Sequence, residues 1–241
     1  MTAVLFAGMF IVFSCGGGGG GPVVALFSDT NYVEYDEDSN LAGASNVMKT
    51  LEHLGIDAEA FTGISAAAFG TALSGKDVLA FPEITPTHYL APNLSAQAVS
   101  VIHDFVEDGG TLLLFSGEDI DSAIANTAFG WDLAMGHETY QNIYIDPGET
   151  AGTVFEGGPS PLSYPNQVTS YGTEGMLPAG SMAMYADSEG LSCVTVISYG
   201  EGQIIHLGWD WDWGDWPFPS TPITEGQATG WFEVLSRAVQ Y

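Results

Sequence analysis

Strand-like and helix-like segments alternate four times in the first half of the chain, and this alternation constrains the fold more than any other feature. Four short apolar runs predict buried strands, at residues 23–27, 56–61, 77–81 and 111–115. Apolar residues at helical spacing follow each run, at residues 41–54, 65–73, 95–106 and 119–129. The pattern therefore predicts an α/β fold, a doubly wound and mostly parallel sheet with helices on both faces.

The pattern changes in residues 130–190, where Gly, Pro, Ser and Thr are dense and helical periodicity is absent. We expect an antiparallel, β-rich insertion with long loops here, including strands around residues 141–145 and 181–185. Two further strands, 193–198 and 203–207, are joined by a hairpin turn at 199–202, and a last helix is expected at about 229–239. One domain is therefore predicted for residues 23–241.

The N-terminal segment predicts an export signal. Residues 2–13 are apolar but too short to span a bilayer of about 30 Å as a helix. The segment Val-Phe-Ser-Cys at 12–15 resembles the signal peptide and lipobox of bacterial lipoproteins. This resemblance implies a signal segment at 1–15, a lipid anchor on Cys15 and a glycine-rich tether at 16–22. The alternative is an uncleaved apolar N-terminus. Cys193 lies in an apolar strand-like run and is expected to be a buried thiol.

The charge of the chain is strongly unbalanced, because 30 carboxylates face three basic residues and give a formal net charge of -27. Nucleic acids and anionic lipid surfaces are poor partners for such a chain, since phosphate binding draws its affinity from Lys and Arg. Two interpretations stay open. The charge keeps the protein soluble in salt-rich surroundings, or some of the carboxylates bind divalent cations.

The helix that ends at Gly109-Gly110, the strand-like run 111–115 and the following Ser116-Gly117 resemble class I glutamine-amidotransferase-like domains. The stretches 76–82, 101–110 and 200–209 resemble uncharacterised extracellular members of that superfamily. The resemblance covers about residues 23–239 and implies a flavodoxin-like sheet. Because one fold hosts many functions, it implies the fold more than the activity.

In catalytic members of the superfamily, a cysteine follows the strand that corresponds to residues 111–115. Ser116 stands at that position here, and His206 lies near the position of the late histidine but is followed by Leu-Gly instead of Pro-Glu. The resemblance therefore argues against Cys-dependent amidotransfer. It leaves open a serine hydrolase with Ser116 as nucleophile, His206 as base and Glu83 as orienting carboxylate. The alternative is that Ser116 and His206 are ordinary turn and strand residues, since the G-x-S-x-G signature is absent.

Ligands of open α/β sheets bind beyond the carboxyl ends of the strands, and carboxylates and aromatic residues follow several of these ends. The candidate ligand-binding residues are Asp29, Asn31, Glu83, Glu118, Trp209 and Trp211. The candidate metal ligands are Asp119, Asp210 and Asp212.

Three interpretations of this edge remain. Carboxylate oxygens suit Ca²⁺, whereas indole faces beside carboxylates suit a glycan. The third interpretation is that the alternating Trp residues simply pack on the sheet. No P-loop, CxxC or HExxH motif is present to support a nucleotide, redox or zinc-protease function. We therefore expect an exported, non-catalytic domain that binds Ca²⁺ or a glycan, or a cell-surface partner, with a serine hydrolase as the alternative.

Overall fold

The structure, a computed structural model, describes residues 20–36, 42–85, 89–115, 119–163, 168–172, 177–211 and 225–241. For residues 119, 135–137 and 225–229 it describes the backbone only. The signal segment and most of the glycine tether predicted from the sequence lie outside these ranges. Within them, no helix is long and apolar enough to cross a membrane.

The described strands form one mixed sheet. In chain order they are β1 (Val24–Phe27), β2 (Ala58–Phe61), β3 (Val78–Phe81), β4 (Thr111–Phe115), β5 (Met135–Thr139), β6 (Tyr144–Ile145), β7 (Val168–Tyr171), β8 (Ser181–Ala186), β9 (Ser192–Tyr199) and β10 (Gly202–Leu207). The main order is β2-β1-β3-β4-β10-β9-β7-β5, and β8 joins β9 and β6 beside this path. The first five strands of that order are mutually parallel and the rest pair antiparallel. The predicted α/β class is confirmed.

Among the described residues, five helices connect or cover the strands. They are α1 (Gly43–His53), α2 (Ala66–Ala72), α3 (Ala96–Glu107), α4 (Asp119–Phe129) and α5 (Glu225–Val239), with a 3-10 turn at Ala91–Asn93. Serine N-caps fix the starts of α2 and α3, because the Oγ atoms of Ser65 and Ser95 each accept a backbone N–H three residues on, at 3.1 Å. Both starts agree with the sequence prediction.

Two hydrophobic layers lie on opposite faces of the sheet. Val47 of α1 and Leu235 of α5 pack into one layer, whereas Phe69 of α2, Ile102 of α3 and Ile124 of α4 pack into the other. Right-handed crossovers place a helix on one face when the chain moves one way across the sheet, and on the other face when it moves back. The doubly wound arrangement follows from this reversal between β1 and β3.

The insertion differs in detail from the sequence prediction. Within the strand expected at 141–145, only the last two residues form a strand, β6. The longer strand β5 lies before this range and ends at Thr139. Ile143 leaves the sheet path to bridge Leu162 through two backbone hydrogen bonds of 3.0 and 2.9 Å. The last helix begins at Glu225, before the predicted start. Gly226 and Gly230 weaken its sequence signal because glycine has a low helix propensity.

Gly208, directly after β10, hydrogen-bonds to β7 and β9 of the antiparallel part of the sheet. Its carbonyl accepts the Thr169 N–H at 2.7 Å, and its own N–H donates to the Cys193 carbonyl at 2.9 Å. A Cβ at this position would overlap the Thr169 carbonyl oxygen. Cys193 itself is buried, and burial raises the pKa of its thiol, which confirms the expected buried thiol.

Candidate functional site at the carboxyl edge of the sheet

The carboxyl ends of β2, β1, β3, β4 and β10 meet at one edge, because these strands are parallel. The direction of the crossovers reverses between β1 and β3. In open α/β sheets such a reversal leaves a crevice outside the carboxyl ends, where ligands bind. We call the loops that follow these five strands the carboxyl edge.

Asp29, at the end of β1, has a structural role in this edge. Its Oδ1 accepts the backbone N–H of Asn31 at 3.1 Å and the Asn31 side-chain N–H at 2.8 Å. Its Oδ2 accepts the Gly63 N–H at 3.0 Å. Asp29 therefore ties the loop after β1 to the loop after β2, and Asn31 serves the same turn. Their predicted ligand-binding role stays a prediction.

Two carboxylate residues, Glu83 and Asp121, are positioned near the end of β3. Glu83 is half-buried, and its Oε2 is buried. The Ile84 N–H donates at 2.7 Å to Oδ1 of Asp121, a residue of α4 that is only 2% exposed. The hydrogen bond fixes the first turn of α4 against the residue that follows Glu83. Asp121 is therefore part of the edge.

Several predicted residues fall where the structure gives no side chain. Ser116, Glu118 and Asp212 lie outside the described residues, and only the backbone of Asp119 is described. The predicted roles of these four residues in catalysis or binding remain predictions. Asp210 is described and buried, three residues after the end of β10.

His206 is enclosed in the sheet. Its register partners are Leu114 of β4 and Thr195 of β9, and its ring stacks on Tyr171 with a centroid distance of 4.0 Å. Neither ring nitrogen has a hydrogen-bond partner among the described residues. Burial lowers the pKa of His206 to about 3. The imidazole is therefore neutral at pH 7, and no described carboxylate orients it.

Trp209 and Trp211 are packed inside the protein, at 7% and 4% exposure. The two indoles contact each other at a centroid distance of 4.3 Å, and Trp209 stacks on Trp231 of α5 at 5.8 Å. Trp211 also meets Phe115 edge-on at 4.8 Å. The expectation that these indoles offer open faces to a sugar ring is not met in this structure. Their burial agrees with the packing alternative, because large aromatic side chains stabilise a core by the area they remove from water.

One cluster was not anticipated from the sequence. Ligand atoms of His103, Asp104 and Glu107 on α3 lie within 4.8 Å of one another. Among the described residues, this is the group of three His, Cys, Asp or Glu side chains close enough together to hold a metal ion. The His103 Nε2 is 2.7 Å from the Tyr199 hydroxyl, and its Nδ1 is 3.1 Å from Asp104. The i, i+1, i+4 spacing of the three residues on one helix is the sequence signal that could have identified this cluster. The His103–Tyr199 hydrogen bond fastens α3 to the end of β9.

Two of the three basic residues, Lys76 and Arg237, form ion pairs away from the carboxyl edge. Lys76 lies 2.6 Å from Glu59 beside the edge strand β2, and Arg237 lies 2.7 Å from Glu233 on α5. The third, Lys49, is on α1. Neither Lys76 nor Arg237 therefore neutralises the acidic groups at the ends of β3 and β10.

Comparisons with known proteins agree with this architecture. No family model and no curated protein matches the chain. A cytoplasmic protein from Salmonella typhimurium is similar in structure, with a TM-score of 0.57 and 14% identity over 91% of this chain and 98% of that one. PurLQS from Thermotoga maritima gives a TM-score of 0.55 and 12% identity, over 92% and 99% of the two chains. A ThuA-like protein from Bacteroides uniformis gives 0.53 and 11%, over 94% and 95%.

At these identities the similarity concerns the fold. The neighbours include ThuA-like and PurQ-type proteins of the class I glutamine-amidotransferase-like superfamily. The strand order, the two helical layers and these neighbours lead to one conclusion: the chain has the flavodoxin-like fold of class I glutamine-amidotransferase-like proteins.

Proposed function

We propose that this chain is an exported, non-catalytic binding domain that binds a divalent cation at the carboxyl edge and prefers Ca²⁺. The supporting observation is the position of Glu83 and Asp121 near the end of β3, where the Ile84 N–H, one residue after Glu83, donates to Asp121 Oδ1 at 2.7 Å. Asp210, which is buried, adds a further carboxylate beyond β10. These groups lie where an open α/β sheet binds its ligand.

The chemistry of the edge favours a hard cation. Ca²⁺ takes about six to eight oxygen ligands at roughly 2.3–2.6 Å, from carboxylates, carbonyls and water. Glu118, Asp119 and Asp212 are the further carboxylates that the sequence offers beside the described three. A cation would also offset part of the net charge of -27. A glycan ligand is less well supported, since the indoles that would stack on it are buried.

Added Ca²⁺ should raise the thermal unfolding midpoint of the full chain, whereas Mg²⁺ at the same ionic strength should raise it less. For a dissociation constant of about 10 µM, 1 mM free Ca²⁺ stabilises by about 2.7 kcal/mol, which is roughly 5–10 °C for a domain of this size. Glu83→Gln should remove at least half of the Ca²⁺-induced rise in the unfolding midpoint. The matched control is Glu189→Gln, an exposed acidic residue in the turn before β9.

Equal shifts with both ions would mean simple screening of an acidic surface and would contradict the proposal. An unchanged Ca²⁺ response in Glu83→Gln would move the site away from the end of β3.

A serine hydrolase is the second candidate, and one observation favours it. The register pairs His206 with Leu114, and Ser116 follows in the chain two residues later. A base must reach the nucleophile's proton and is normally oriented by a third group. The enclosed, neutral His206 meets neither requirement among the described residues, so binding is preferred over catalysis.

Ser116→Ala distinguishes the two candidates. If hydrolysis of an ester or amide substrate is detected, the hydrolase interpretation expects a loss of about 10³-fold or more in kcat/KM for this variant. Ser122→Ala, a serine of α4, serves as the comparison. Activity that survives Ser116→Ala would rule out the serine mechanism, whereas the binding domain is expected to show no such activity at all.

Export and lipid attachment at Cys15 are part of the same proposal. The glycine run at 16–21 would then act as a flexible tether. Gly20 and Gly21, the described end of this run, lead into β1, and the Val23 N–H bonds to Asp77 Oδ2 at 2.9 Å. The tether would therefore reach the domain at the amino edge of the sheet, opposite the carboxyl edge.

A further inference from the structure

Asn93-Leu94-Ser95 is the single Asn-x-Ser/Thr triplet among the seven asparagines of the chain. In exported proteins, a surface triplet of this kind with no proline in the middle is the acceptor sequence for N-linked glycans. We propose that Asn93 is an N-glycosylation site. The proposal rests on the export proposed above and is independent of the cation.

The structure places Asn93 where a glycan can be attached. It is the last residue of the 3-10 turn Ala91–Asn93, in the connection from β3 to α3, and it is exposed. Pro92 beside it is exposed as well, and Tyr89, two residues before the turn, is 59% exposed. A large hydrophilic group on this side chain would project into solvent without displacing the core.

The hydrogen bonding of Asn93 is compatible with the modification. Its Nδ2 donates to the Tyr89 carbonyl at 2.7 Å, and a primary amide carries two hydrogens. In the transfer, Nδ2 forms a bond to the anomeric carbon of a lipid-linked oligosaccharide. The bond from that carbon to the carrier phosphate breaks, the lipid phosphate leaves with the electron pair, and one amide proton passes to solvent. The remaining N–H can still donate to Tyr89.

Ser95 has two separable roles. Its Oγ accepts the Ala98 N–H at 3.1 Å and so caps α3, while its hydroxyl is the third position of the acceptor triplet. The cap uses a lone pair and leaves the hydroxyl proton to donate. Substitutions at Ser95 therefore separate helix capping from glycosylation: Ser95→Asp keeps a good cap and destroys the triplet, whereas Ser95→Thr keeps both.

A glycan on Asn93 would lie beside the candidate cation site. The connection from β3 to α3 carries both Glu83 and Asn93, and the 3-10 turn packs against α4, which bears Asp121. The modified side chain would cover the rim of the carboxyl edge and not the amino edge from which the tether leaves.

The test uses the full chain produced in its source cells, followed by cell fractionation and mass spectrometry of the peptide that contains Asn93. We expect a glycan mass on this peptide in the exported wild type and in Ser95→Thr. Asn93→Gln and Ser95→Asp should lack it and should keep the wild-type thermal midpoint within about 2 °C, because the cap is retained.

The outcomes distinguish the two proposals. An exported wild-type protein with unmodified Asn93 overturns the glycosylation alone. A protein confined to the cytosolic fraction and unmodified overturns both the export and the glycosylation. Glycan that persists in Asn93→Gln places the modification elsewhere and also overturns the proposal.

Discussion

Trp231→Ala is expected to destabilise the protein by about 3–5 kcal/mol, as truncation of a buried large aromatic side chain commonly does. Trp231 is fully buried, stacks on Trp209, and donates its indole N–H to the Ser163 carbonyl at 2.9 Å. The variant removes the ring that covers the aromatic cluster and leaves that carbonyl without its donor. Urea unfolding followed by circular dichroism measures the change.

The matched control for this variant is Tyr144→Ala, which truncates an aromatic residue that is 51% exposed. Surface substitutions of this kind usually change the free energy of unfolding by no more than about 0.5 kcal/mol. A loss below about 1 kcal/mol for Trp231→Ala would show that α5 and the segment after β10 do not pack as described.

Acidification should destabilise the protein through His206. Burial lowers the pKa of His206 from 6.5 to about 3 in the folded state, so below pH 6.5 the unfolded chain binds a proton that the folded chain does not. The stabilising contribution of the neutral ring is complete above about pH 6.5 and is lost as the pH falls toward 3. One pKa unit corresponds to about 1.4 kcal/mol, so the loss at pH 4.5 is on the order of 2–3 kcal/mol.

His206→Phe isolates this effect, because phenylalanine retains a ring against Tyr171 but does not titrate. The free energy of unfolding is measured from pH 7.5 to 4 for both proteins, and the difference between the two profiles is compared. Protonation of the many carboxylates and relief of their repulsion are common to both. Parallel profiles would contradict the buried, neutral state of His206.

The fold was predictable because local signals and tertiary packing agree in the parallel half of the sheet. Strand β4 is apolar from Leu112 to Phe115 since both of its faces are covered, and Ser95 caps α3 as its sequence position predicts. The insertion was harder to predict. Its short strands depend on long-range partners, such as the bridge between Ile143 and Leu162, and no local periodicity encodes such partners.

The sequence predicted where the candidate site lies but not which side chains it presents. The sequence placed carboxylates and indoles after the strand ends, but period-two alternation does not say which side chains face inward, and Trp209 and Trp211 proved to be buried. Likewise, an aspartate after a strand suits either a ligand or a turn. Asp29 accepts three N–H groups from its own loops, and this role depends on how the loop after β2 folds back toward β1.

An experimental structure of the full chain with Ca²⁺ bound tests the central claim most directly. The account predicts a single ion at the carboxyl edge, with an oxygen of Glu83 among its ligands at about 2.3–2.6 Å. An edge that holds only water at saturating Ca²⁺, or an ion bound instead by His103 and Glu107 on α3, would contradict it.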